Sequence, residues 1–251
     1  MTTGSELRVV LDDLITGNHI LAHHGVVDCY GHLSARDPRD PNCFLLAWAV
    51  APALVTDDDI LTFDLNGDRV GDDDRELYSE RFLHAAIYAA RPDVQGIVHS
   101  HSPAVIPFTI VADEPLRPVW HVSSFLNEGA PVFDTMAVAG DTDLLIKNMT
   151  LGRSLAETLG KSSVVLMRGH GSSVIGRSAR EAVYRAIYTE QNARIQSEAS
   201  RFGKPLQFLS HGEALLMDKY MKPDVRRPWD LWRRDVESAR ALEALARRYE
   251  Q

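Results

Sequence analysis

The chain has 251 residues, 45% of them hydrophobic, which is enough for one substantial core and allows a single domain with an appendage. Its formal charge of −8 argues against a nucleic-acid or anionic-membrane partner. No apolar run approaches the length of a membrane span, and we expect no signal peptide. The two cysteines, Cys29 and Cys43, lack a metal-type spacing, so we expect reduced thiols in a cytoplasmic protein.

Helices and strands alternate along the chain. Apolar residues at helical spacing predict a helix over 6–24 that ends at Gly25. Alternating and apolar stretches predict strands at 32–36, 43–47 and 59–64, the last followed by a hairpin turn over 65–68. The remaining predicted elements are helix 77–90, strand 95–99, strand 131–133, helix 141–159 capped by 140–142, strand 163–167 and helix 178–203.

This order of elements favours one three-layer α/β/α domain over residues 1–210. Residues 211–251 form a charged tail that we expect to be helical near its end. Trp229 and Trp232 in the tail predict that it packs on the body of the protein or on a neighbouring subunit.

Three histidines follow two apolar strands. Strand 95–99 runs into His99-Ser100-His101, and side chains two residues apart share one face of an extended chain. Strand 163–167 is followed by Arg168-Gly169-His170. Three neutral imidazoles with one carboxylate or water form an ordinary set of ligands for a divalent transition metal. The spacing therefore predicts a metal site at His99, His101 and His170, although a single histidine is more often structural or exposed.

Two charged residues accompany these histidines in the sequence. Glu80 opens the helix that leads to the His-X-His strand, where a carboxylate can also simply favour the helix dipole. Arg168 lies two residues before His170 and would point to the same side of its strand. For Arg168, an ion pair with an acidic residue and a clamp on a substrate carboxylate both stay open.

The same residues resemble those of a known family. The class II aldolase/adducin family resembles this chain at three motifs: Ser79-Glu80 followed by a helix, His99-Ser100-His101, and 168–171. The stretch 31–36 matches the first strand of that family. The resemblance runs from about residue 8 to residue 203. It implies a three-layer α/β/α fold with a central, mainly antiparallel sheet. It also implies a zinc or manganese ion at the three histidines, with iron or cobalt as alternatives, and a homotetramer with active sites between subunits. Glu80 would then serve as an acid/base or an additional ligand.

The chain departs from the family's sugar-phosphate enzymes at the places that hold the phosphate. Where those enzymes carry Asn, a Ser/Thr-Gly step and Ser-Ser, this chain has His32, the stretch 51–54 and Tyr78-Ser79. A phosphate dianion needs several hydroxyl and backbone donors to offset its desolvation. The departures argue against a phosphorylated sugar, and we expect His32 and Ser79 to contact another small anionic substrate.

Three segments, 77–94, 121–134 and 182–196, resemble a branch of the family that contains decarboxylases of hydroxylated aromatic or pyridine dicarboxylates. The resemblance implies a metal-dependent carbon–carbon lyase, a decarboxylase of a small hydroxylated aromatic carboxylate. Two alternatives stay open: an aldolase acting on a non-phosphorylated hydroxy-oxo acid, and a catalytically silent adducin-like scaffold. Non-enzymatic members tend to lack the metal ligands, which are all present here.

Overall fold

The structure, a computed structural model, describes residues 3–221 and 225–249. Within these ranges eight strands form one sheet: β1 His32–Arg36, β2 Cys43–Ala47, β3 Ile60–Asp64, β4 Arg69–Val70, β5 Gly96–Ser100, β6 Val132–Phe133, β7 Val164–Met167 and β8 Gly171–Gly176. The α-helices are α1 Thr3–His23, α2 Arg81–Ala90, α3 Pro107–Ile110, α4 Thr135–Ala139, α5 Met149–Leu159, α6 Ala179–Ser200, α7 His211–Tyr220 and α8 Arg226–Tyr249.

The sheet is antiparallel except at one edge. Its strand order is β4-β3-β2-β1-β5-β8-β7-β6, and only the pairing of β6 with β7 is parallel within the described ranges. β1 and β5 lie side by side in the middle of the sheet, with His32 opposite His99. The predicted central, mainly antiparallel sheet is confirmed.

Helices cover both faces of the sheet because the strands carry apolar side chains on both faces. Val98 and its neighbours on one face pack against α1, α6 and α8. Ile97 and its neighbours on the other face pack against α2 and α5. Successive strand residues point to opposite faces, so both cores draw on the same strands. The three-layer α/β/α fold predicted from the sequence is confirmed.

The predicted helix 141–159 is shorter than expected. The helix begins at Met149, and Asn148 rather than Thr142 caps it, accepting a hydrogen bond from the backbone N–H of Leu151. Residues 141–148 form an irregular segment in which Leu144 has a left-handed φ of 66°. A side-chain cap at Asn148 satisfies a backbone donor that a longer helix would have used internally. The irregular segment delivers two backbone groups to the candidate site described below.

The tail contains two helices, α7 and α8, of which α8 packs against α1 and α6. Trp229 of α8 is 1% exposed, and Trp232 is also buried. Both rings join the core on the α1 and α6 side of the sheet. The division of the chain at residue 210 stays a prediction. In the described part of the chain, no helix has the length and apolar character needed to cross a membrane.

Candidate metal centre and adjoining cavity

Four side chains meet at the end of the sheet where β5 stops and β7 turns into β8. His99 lies in β5 and His101 just after it, while His170 lies in the turn that joins β7 to β8. Gly169 adopts a left-handed φ of +64° in that turn, a conformation that suits glycine. Glu80 precedes α2, and its side chain makes no capping bond to that helix. The carboxylate is therefore free to point toward the histidines.

The four side chains converge on one small space. The Nε2 atom of His101 lies 3.2 Å from that of His99 and 3.1 Å from that of His170. The Oε2 atom of Glu80 lies 3.3 Å from the Nε2 of His99 and 3.4 Å from the Nε2 of His170. Four ligand atoms, one from each residue, thus lie within 4.8 Å of one another.

Each imidazole has a hydrogen-bond acceptor behind it, next to Nδ1. His99 Nδ1 lies 3.1 Å from the carbonyl oxygen of Ser172, and His170 Nδ1 lies 3.1 Å from that of Leu144. His101 Nδ1 lies 3.0 Å from Oδ2 of Asp28. These acceptors require the ring proton on Nδ1, so the Nε2 lone pairs of neutral rings face one another.

The charge of the cluster attracts a cation. Burial raises the pKa of the Glu80 carboxyl, but the imidazoles of His99 and His170 outweigh burial and hold that pKa below its usual range. Burial lowers the pKa of His170, but hydrogen bonding and charge from Glu80 outweigh it and the net change is upward. Oε1 of Glu80 also accepts a hydrogen bond from the backbone N–H of Ile146 at 3.0 Å. An ionised carboxylate beside three imidazoles is thus held in place.

A divalent metal ion fits this donor set. Four ligands at about 2.1 Å in a tetrahedron lie about 3.4 Å from one another, close to the spacings between these atoms. Facing lone pairs at such distances repel unless a cation or additional protons lie between them. Imidazole nitrogen and carboxylate oxygen suit zinc, manganese, iron and cobalt alike, so the donor set selects a divalent transition metal without selecting one element.

A cavity of about 690 Å³ opens beside the cluster. Glu80, His101 and His170 lie in its wall, while His99 is fully buried behind them. Its size falls within the range of small-molecule sites. The other lining residues mix apolar and polar side chains: Cys29, Tyr30, His32, Ala49, Glu76, Leu77, Tyr78, Ser79, Asp143, Leu144, Leu145 and Gly169.

His32 and Ser79, the predicted substrate contacts, both line this cavity. Ser79 is exposed, whereas His32 is buried against the rings of Tyr78 and His99. Burial lowers the pKa of His32 well below its usual value, and the charges of His84 and His99 lower it further. His32 is therefore neutral. Its Nδ1 lies 2.7 Å from Nε2 of His84, a residue for which the sequence indicated no role at the site.

Arg168 is not brought to the cavity wall. Its Nε lies 2.7 Å from Oδ2 of Asp134, and its side chain is 40% exposed. It borders a separate cavity lined by residues of α3 and the segment before β6. Of the two readings that the sequence left open, the structure shows the ion pair with an acidic residue.

Sequence reasoning missed the groups that surround the cluster. Asp28, Leu144, Ile146 and Ser172 each bond a cluster side chain, three of them through backbone atoms. A backbone carbonyl or N–H carries no residue-type signal, so no motif could have indicated these three. Asp28 could have been found as an acidic residue shortly before the predicted strand at 32–36.

The fold and the cluster define an α/β/α protein with a candidate divalent-metal site at the ends of the central strands of its sheet. Comparison with known proteins places it more narrowly. Residues 12–197 match the Class II Aldolase and Adducin N-terminal domain, and the chain belongs to that family.

Two relatives and one solved structure illustrate its place in the family. The chain is 39% identical to the decarboxylase tropJ of Talaromyces stipitatus, with 89% of this chain and 92% of that protein covered. It is 28% identical to a 3,4-dihydroxyphthalate decarboxylase of Arthrobacter keyseri, with 76% and 78% covered. An L-fuculose 1-phosphate aldolase from Glaciozyma antarctica shares the fold, with a TM-score of 0.78, 22% identity and 96% and 94% covered. The chain is an enzyme of the carboxy-lyase type.

Proposed function

We propose that this enzyme is a metal-dependent decarboxylase of a small hydroxylated aromatic carboxylate, phthalate-like or pyridine. His99, His101 and His170 would hold the metal ion, Glu80 would be the acid/base residue, and His32 and Ser79 would contact the substrate. The observation that carries the proposal is the convergence of three Nε2 atoms and one ionised carboxylate beside a cavity of small-molecule size. We also propose that residues 1–210 form the catalytic body and residues 211–251 a tail.

The lining of the cavity supports an aromatic substrate over a sugar phosphate. Hydroxyl donors in its wall come from Tyr30, Tyr78 and Ser79, and the Tyr78 hydroxyl already donates to the carbonyl of Val50. Few donors remain for the several oxygens of a phosphate dianion. The decarboxylases among the relatives, including one named for 3,4-dihydroxyphthalate, point to the same substrate class.

Decarboxylation leaves an electron pair on a ring carbon and requires one proton there. A divalent cation, when bound, would supply positive charge that stabilises negative charge on the substrate's oxygens. Glu80 is ionised, so its carboxylate can accept the proton of a ring hydroxyl and return it to the ring carbon after carbon dioxide leaves. The resulting phenolate regains a proton from solvent, which balances the reaction.

The assembly and cellular location are further parts of the proposal. We propose a homotetramer in the cytoplasm, as the family resemblance and the two unpaired cysteines suggest. Light scattering at micromolar concentration should give the mass of four chains. A stable monomer would contradict the tetramer.

The reaction is tested by offering two substrate classes to the purified protein. Carbon dioxide release from 3,4-dihydroxyphthalate and from hydroxypyridine dicarboxylates is measured beside aldehyde release from hydroxy-oxo acids. We expect carbon dioxide from the aromatic acids, loss of activity with a chelator, and recovery on adding a divalent metal. His101→Ala should lose bound metal, while His211→Ala, a change at an exposed tail histidine, should not. Aldehyde release alone would replace the proposal with an aldolase.

A further inference from the structure

A chain of buried hydrogen bonds leads from His32 through three further buried side chains. His32 Nδ1 lies 2.7 Å from His84 Nε2, and His84 Nδ1 lies 2.7 Å from the Ser34 hydroxyl. The Ser34 hydroxyl lies 2.9 Å from the hydroxyl of Tyr88. All four side chains are almost completely buried. The decarboxylase mechanism proposed above does not use the last three of them.

The chain of bonds can run in two directions. In the first, Tyr88 donates to Ser34, Ser34 donates to His84 Nδ1, and His84 Nε2–H donates to His32 Nδ1. His32 then carries its own proton on Nε2. In the reverse direction His32 carries its proton on Nδ1, and the hydroxyl hydrogen of Tyr88 must find another acceptor.

The structure favours the first direction. Across residues 3–221 and 225–249, Ser34 is the only hydrogen-bond partner of the Tyr88 hydroxyl. A buried hydroxyl hydrogen without an acceptor is costly, which disfavours the reverse direction. Burial also raises the pKa of Tyr88, so the phenol keeps the proton that it donates. Burial lowers the pKa of His84 to about 3, so that ring is neutral and carries its single proton on either Nδ1 or Nε2.

We infer that His32 determines substrate specificity by donating its Nε2–H to a carboxylate oxygen of the substrate, and that His84, Ser34 and Tyr88 are positioning residues that hold this tautomer. The inference rests on the proposed function, because the carboxylate belongs to the aromatic substrate. His32 lines the cavity, and its ring centre lies 5.1 Å from that of the cluster residue His99. Within the described residues, its Nε2 has no protein partner, so this donor is available to a ligand.

The tautomer can be measured directly in the resting protein. Nitrogen-15 NMR of the zinc-loaded protein distinguishes a ring protonated on Nε2 from one protonated on Nδ1. The His32 signal among the ten histidines is assigned by its absence in His32→Phe. We expect the Nε2–H tautomer in the wild type and a mixture of tautomers in Ser34→Ala. An Nδ1–H tautomer in the wild type would overturn the inference.

Kinetics then test what the donor recognises. His32→Phe should raise KM for 3,4-dihydroxyphthalate by about 10- to 100-fold, which is the scale for losing a hydrogen bond to a charged group. The Kd of catechol should stay unchanged, because catechol lacks a carboxylate. Ser34→Ala should raise the same KM by about 2- to 10-fold with kcat nearly constant. Ser123→Ala is the matched control, because it also removes a buried serine hydroxyl with two hydrogen bonds, in a segment packed against α6.

The outcomes separate this inference from the proposed function. A wild-type protein that releases no carbon dioxide refutes the function, while the NMR result still decides the tautomer. An unchanged KM in His32→Phe, or an equal loss of catechol binding, overturns the carboxylate contact in an active enzyme. If His32→Phe does not fold, Ser34→Ala replaces it: a KM and a His32 signal like those of the wild type would count against the positioning role.

Discussion

Asp28→Asn should weaken metal binding although Asp28 does not reach the cluster itself. Oδ1 of Asp28 accepts hydrogen bonds from the backbone N–H groups of Tyr30 and Gly31, at 2.8 and 3.0 Å. An asparagine must keep its single oxygen there, which turns its NH₂ group toward Nδ1 of His101. Two donors then face each other, so His101 must move its proton to Nε2. That proton occupies the lone pair aimed at the cluster.

The expected loss is about 10- to 100-fold in metal affinity, the usual effect of removing a partner behind a metal-binding histidine, or about 1.4–2.8 kcal/mol. Competition with a chromophoric chelator measures the affinity for zinc and for manganese. Asp40→Asn is the matched control, because Asp40 also accepts a backbone N–H in a turn, at 2.9 Å, without contacting the cluster. A Kd for Asp28→Asn within twofold of the wild type would refute this account of how His101 is oriented.

Three further changes test the site and the core. In Glu80→Gln the amide oxygen should still accept the hydrogen bond from the backbone N–H of Ile146, which leaves the NH₂ group facing the histidines. Turnover should fall by roughly 10²–10⁴. Wild-type turnover with metal still bound would remove Glu80 from the mechanism. Trp229→Ala should cost about 3–5 kcal/mol of unfolding free energy in a denaturant titration, whereas Tyr220→Ala, at a side chain 79% exposed, should change it little. Burial, and to a lesser extent the charge of His99, lower the pKa of His84 from 6.5 to about 3, so the unfolded chain binds a proton that the folded protein does not. The stability that the neutral His84 ring contributes should therefore be lost as pH falls from 6.5 toward 3, at up to about 1.4 kcal/mol per pH unit. When the free energy of unfolding is measured by urea titration at pH values from about 6 to about 4, it should fall less steeply with pH in His84→Gln than in the wild type. An equal dependence on pH in the two proteins would contradict the assignment.

Local sequence patterns identified most of the elements that build the sheet. β1 and β2 begin and end where the sequence predicted, and β3, β5 and β7 shift by about one residue. β8 was missed because Gly171–Gly176 is neither alternating nor strongly apolar. It is a strand because β5 and β7 pair with it on both sides, a contact between distant parts of the chain.

The sequence by itself determined the three histidines and Glu80 as candidates. The two-residue period of a strand puts His99 and His101 on one face, and the predicted strand and helix boundaries lie within a few residues of His170 and Glu80. Only the tertiary structure decided the rest of the site. It turned Arg168 toward Asp134, placed Asp28 behind His101, and joined His32 to His84 across 52 positions of sequence. Such contacts depend on how whole layers pack, and burial then imposes a hydrogen-bond partner on each polar group, a requirement that no local pattern in the sequence records.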